Sequence, residues 1–122
     1  DAGNGDKVLS YFVPDAKHHF GGELNTNDEL KKRVVAFKTG FPDILRVIDE
    51  LVVTNNTVTI RGWITGTNTG PFKGKPATGN KLKLSVMGIY KLNAEGKVTE
   101  AWIELDSKSL ELQLKGNSVG IK

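Results

Sequence analysis

The sequence contains no cysteine, which excludes disulfides, thiolate nucleophiles and cysteine-ligated zinc together. No apolar run is long enough to span a membrane, and no basic-then-apolar leader is visible. A cytoplasmic setting with no membrane partner is therefore the expectation. Internal repeats and low-complexity tracts are also missing. Neither sign of charge dominates: 17 Lys and Arg against 14 Asp and Glu leave a net +3, scattered along the chain. The densest groups are Lys31-Lys32-Arg33 and the set Lys73, Lys75, Lys81 and Lys83. Both lack the interleaved aromatics of a nucleic-acid surface, so they read as solvated charge, and no nucleic-acid partner is expected. The only two histidines, His18 and His19, are adjacent and have no carboxylate cluster beside them. A metal site needs three or four convergent ligands, so neither metal nor cofactor is expected.

What remains suits one domain covering 1–122. A chain of 122 residues can bury a core without metal or disulfide staples. Val8, Leu9, Phe12 and Val13 are spaced as on a short amphipathic helix that Pro14 and Asp15 end. His18, His19 and Phe20 come next as a loop before the turn at Gly21-Gly22. Thr26 and Glu29 form a capping box ahead of Leu30, Val34 and Phe37, which recur at helical spacing until Gly40. In that helix Lys31-Lys32-Arg33 reads as the wet face.

From Ile44 the residues become β-branched. Strands are predicted over about Leu45–Val53 and Val58–Thr65, joined at Asn55-Asn56, then over Leu82–Leu92 and Val98–Leu105, joined at Asn93–Gly96. Thr67–Lys81 is a long glycine- and proline-bearing loop. Leu110, Leu112 and Leu114 sit on a short helical tail, with Asp106 as its N-cap. Helices first, then an antiparallel meander, give an α+β fold with helices on one face of the sheet.

The stretch Gly66-Thr67-Asn68-Thr69-Gly70-Pro71-Phe72-Lys73-Gly74-Lys75-Pro76-Ala77-Thr78-Gly79 resembles the G-T-H-T-G-x-F-x-G-x-P-P-T-G loop of the SnoaL-like family, which includes polyketide cyclases and ester cyclases. Phe41-Pro42-Asp43, the Gly96–Trp102 hairpin and the tail Asp106, Leu110, Gln113-Leu114 resemble further motifs of that family, in its order. The resemblance covers roughly Asn4 to Leu114. It implies an NTF2-like cone, a curved antiparallel sheet around a pocket, with pairing of two copies through the sheet. The family's long first helix is short or absent here, which leaves the pocket open on that side unless a partner covers it.

The family's cyclases use an aspartate on the last strand and a histidine on the preceding one. In register, those positions hold Ile103 and Gly88, neither of which can transfer a proton. The resemblance places His18 and His19 at the pocket mouth. His19 matches the family spacing better and is the candidate general base; a histidine bonded to backbone or solvent is the plainer reading of either. Glu100, Trp102 and Glu104 alternate with Ala101, Ile103 and Leu105, and the second set is expected to face inward. A one-residue bulge would turn Glu104 inward and restore an acid, which makes it the second catalytic candidate. Arg61 and Trp63 share one face of their strand, either as carboxylate clamp and stacking wall or as outer charge and interface aromatic. With His18, Met87, Gly88 and Ile103 they complete the ligand-binding candidates.

The expected function is that of a SnoaL-like domain with an apolar pocket for a small hydrophobic molecule and isomerase, cyclase or hydrolase chemistry. The alternative is a non-catalytic ligand-binding module, or a dimerisation domain, that has lost the catalytic aspartate.

Overall fold

The structure, a computed structural model, describes residues 5–115. The first four residues of the expected opening helix and the last seven of the expected domain lie outside them. In chain order the elements are α1 (Gly5–Leu9), β1 (Phe12–Phe20), β2 (Glu23–Asn25), α2 (Asn27–Gly40), β3 (Leu45–Thr54), β4 (Thr57–Thr67), β5 (Lys81–Leu92), β6 (Val98–Leu105) and α3 (Ser107–Leu114). The strands form one curved sheet in the order β2-β1-β6-β5-β4-β3. Every pairing is antiparallel except β1 with β6, which is parallel. Among the described residues no helix is long and apolar enough to cross a membrane.

From α2 onward the elements match the sequence expectation closely. Thr26 accepts from the Glu29 backbone N–H, and the Glu29 side chain accepts from the Thr26 N–H at 2.9 Å, completing the capping box. Two of the donors that a helix start leaves orphaned are thereby satisfied. On β5, Leu82, Leu84 and Val86 are buried while Lys81, Lys83 and Ser85 are exposed, the alternation of a strand with one dry face. Asp106 caps α3 by accepting from Ser109 N–H at 2.9 Å.

The first twenty residues correct the expectation. The helix stops at Leu9, and Phe12–Phe20 is a strand rather than a helix end and a loop. A five-residue helix is too short to persist by propensity, so pairing with β6 decides the conformation of Phe12–Phe20. Pro14 is tolerated because β1 is irregular there: its register against β6 shifts between Phe12 and Lys17. The strand alternation was hidden because one of its buried positions is His18.

The core lies between α2, α3 and the concave face of β5. Phe41, Phe72, Leu82, Leu84 and Leu110 are buried together, with Phe37 and Leu114 packed against them. Burying side chains of this size contributes roughly 1.5–3 kcal/mol each. The Phe72 ring, from the long β4–β5 loop, lies 5.3 Å from that of Phe41 and 5.1 Å from that of Phe37. Asn68 holds this loop in place. Its Nδ2 donates to Gly40 O and Gly70 O, and its Oδ1 accepts from Thr78 N–H and Oγ1. At Gly70 the loop passes so close to α2 that a Cβ would meet Thr39 O at 2.0 Å.

Candidate functional site

The sheet curls around a cavity of about 560 Å³, roofed by α1 and α2 and walled by β1, β5 and β6. Its apolar lining includes Leu30, Val34, Ile44, Ala101 and Ile103; its polar lining includes His18, Asn25, Arg33, Arg46 and Tyr90. A cavity of this size and character suits a small ligand.

His18 is the best-positioned titratable group in the wall. It is 5% exposed, and its ring lies 4.6 Å from that of Phe12. Nε2 is 2.6 Å from Oδ1 of Asn27, the first residue of α2. The Asn27 amide nitrogen is 2.9 Å from Val13 O and 3.0 Å from Pro14 O, two atoms that only accept. The atom facing His18 is therefore the amide oxygen, and the neutral ring carries its proton on Nε2. Nδ1 is left as the acceptor. Among the described residues Nδ1 has no hydrogen-bond partner, and His18 is part of the cavity lining.

His19 turns the other way, as its neighbour on a strand must. Nε2 is 2.7 Å from Glu100 Oε2, and the ring stacks parallel on Trp102 with centroids 5.0 Å apart. The parallel register explains both contacts: His18 pairs with Ala101 on the concave side, and His19 pairs with Trp102 on the outer side.

The remaining sequence candidates divide between the two faces. Ile103 stands in the cavity wall, and its Cδ1 is 2.8 Å from where a Cβ on Gly88 would sit. Glu104 pairs with Met87 on the opposite face, where both are exposed. Arg61 is there too, donating through Nε to Glu50 Oε1 at 3.0 Å, as is Trp63, donating to Asp49 Oδ2 at 2.9 Å. The hydrogen bond and charge of Glu50 raise the Arg61 pKa further above its ordinary value. The structure thus brings His18, Gly88 and Ile103 together and leaves Arg61, Trp63, Met87 and Glu104 as a separate outer group.

Asn27, Arg33 and Arg46 stand at the site without having been singled out from the sequence. Asn27 contacts His18 only because β2 folds the chain back. Arg33 reads, with Lys31 and Lys32, as wet face in the sequence, but it lines the cavity, with its guanidinium carbon 3.6 Å from the centroid of the Phe20 ring. The signal was present: Arg33 is three residues after Leu30 and four before Phe37, which places it on their face. Arg46 pairs with the buried Ile64, and paired residues share a face, so it joins the concave side. Among the described residues no three His, Asp or Glu side chains converge as metal ligands.

Solved structures share this architecture. AclR from Streptomyces galilaeus superposes with a TM-score of 0.83 at 20% identity, over 96% of this chain and 74% of that one. IdmH from Streptomyces antibioticus gives 0.77 at 21% identity, over 93% and 91%. A SnoaL-like polyketide cyclase from Agrobacterium tumefaciens gives 0.69 at 19% identity, over 90% and 84%. At such identities the likeness concerns the fold. No curated protein matches the sequence. The family model described as SnoaL-like polyketide cyclase matches residues 1–114.

Proposed function

This chain belongs to the SnoaL-like polyketide cyclase family, and we propose that its cavity receives a small, mostly apolar carbonyl compound from which His18 takes a proton. The observation that supports this is the fixed tautomer of His18, a residue of the cavity wall, with Nε2–H held by Asn27 and the Nδ1 lone pair left free to accept. A base so oriented can remove a proton from the carbon beside a carbonyl. The C–H electron pair passes into the enolate, whose carbon then bonds to a second carbonyl carbon of the same molecule. That carbonyl becomes an alkoxide, which recovers the proton from Nδ1. The sum is a ring closure without net oxidation or reduction. The Tyr90 hydroxyl, in the same wall, is the group proposed to donate to the developing enolate oxygen.

Deuterium exchange at the α-carbon of a bicyclic aryl ketone such as 1-tetralone, monitored by NMR in D2O, tests the proton-transfer step. The protein should accelerate exchange, and His18→Gln should remove about a hundredfold of that acceleration. Exchange that survives His18→Gln would show that another group is the base. Binding without any exchange would leave a ligand-capture module.

A second copy of this chain is the proposed partner, docked on the outer sheet face. Support comes from the exposure there of Met87 (55%), Val47 (41%) and Ile89 (41%), beside Trp63 and Trp102. Exposed apolar side chains gathered on one face of a small domain favour an interaction site.

A further inference from the structure

The charged groups of the cavity wall are all of one sign. Arg33 and Arg46 line it, and no aspartate or glutamate does. Arg33 is the more enclosed of the two arginines. Its ring contact with Phe20 covers one face, and its Nη2 donates to Oδ1 of the buried Asn25 at 3.4 Å. Burial lowers the pKa of Arg33, while Glu23 and Glu29 raise it from a distance without pairing with it. Arg46 is exposed, on the concave side of the edge strand β3. Neither arginine enters an ion pair among the described residues. Arg61 on the outer face shows the contrast, since a carboxylate, Glu50, stands opposite it and bonds to it.

A cation held partly out of water without a counterion is unfavourable. Arg33 is such a cation, and the exposed Arg46 adds a second positive charge at the same apolar cavity, so the site favours an anion. We infer that the ligand of this cavity is an apolar ring compound carrying a carboxylate, with the carboxylate answering Arg33 and Arg46 and the ring body set against Val34, Ile44 and Ile103. The planar fork of a guanidinium suits the two oxygens of a carboxylate. The inference rests on the cavity being a ligand receptacle, as proposed above, and adds which class of molecule it selects.

Calorimetric titration of the full chain with 2-naphthoate and with its methyl ester isolates the charge, since the apolar body is the same. The acid should bind about tenfold more tightly than the ester, and added salt should weaken the acid alone. Arg33→Met and Arg46→Gln should each lower the affinity for the acid about three- to tenfold and leave the ester within about twofold. Arg46 is exposed, so its variant carries the test if Arg33→Met disturbs the Phe20 contact enough to impair folding. Equal binding of acid and ester, or an acid preference that persists in the double variant, would overturn the charge selection while leaving the receptacle intact. Failure of both compounds to bind would overturn the inference together with the reading beneath it.

Discussion

Asn27 fixes the tautomer of His18: the amide nitrogen is committed to Val13 O and Pro14 O, so only the amide oxygen faces the ring, at 2.6 Å. Nitrogen-15 NMR of the neutral ring should accordingly show the proton on Nε2. Asn27→Ala leaves the ring N–H and two strand carbonyls without their partner. It should lower stability by about 1–3 kcal/mol in urea unfolding. A neutral ring protonated on Nδ1 would contradict the assignment.

Asn68 is 2% exposed and uses its whole hydrogen-bonding capacity, two donors and two acceptor sites, to tie the β4–β5 loop to the end of α2. Asn68→Ala should cost about 2–4 kcal/mol, because each abandoned partner is left in a closed environment. Loss of less than about 0.5 kcal/mol would mean that the loop closes without this hub.

Two glycines should respond differently to alanine. At Gly70 the added carbon meets the Thr39 carbonyl at 2.0 Å, an obstacle of backbone, so Gly70→Ala should yield little folded protein. At Gly88 the nearest atom is Ile103 Cδ1 at 2.8 Å, the far end of a flexible side chain. Gly88→Ala should fold at a cost of about 1–3 kcal/mol and reduce the cavity volume, weakening binding of bulky ligands. Melting temperatures of the two variants, read side by side, make the comparison.

How far the fold and the site can be read from the sequence depends on the range of the forces involved. The α2 capping box, the alternation on β5 and the Asp106 cap are local, and each appears where its residues predict. β1 is set by parallel pairing with a strand at the far end of the chain, which local spacing cannot report. Val8, Leu9, Phe12 and Val13 match helical spacing while belonging to two different elements. In the site, His18 and Ile103 were legible as residue types near a pocket. Asn27 was not, because its role depends on the turn of β2, and Arg33 was obscured by two lysines beside it.

Asp43 accepts from the Thr67 backbone N–H at 2.7 Å, linking the approach to β3 with the end of β4. That hydrogen bond holds its carboxyl below the ordinary range. A lowered folded pKa contributes stability that is complete above the unfolded value, about 3.9, and is lost as pH falls through the folded one. Stability of the parent protein should therefore fall across that acidic window, while Asp43→Asn should show a flatter profile there. Urea midpoints measured from neutral pH to about pH 2 check the difference.

Pairing through the outer face should make the protein a dimer by light scattering, and Met87→Glu with Ile89→Lys should convert it to a folded monomer. Both side chains point to solvent in the single chain, so the substitutions alter the surface and leave the core as it is. A parent protein that is monomeric throughout the working concentration range would remove the proposed interface.

The parallel pairing of β1 with β6 also imposes an order on how the cavity comes into being. His18 leaves the ribosome long before Ala101, the residue beside which it finally lies. Until β6 emerges, the three-residue β2 is the one strand among the described residues that β1 can pair with. The wall that carries the base is thus sealed by a segment synthesised well after it, and a chain that stops short of β6 has no cavity in which His18 could act.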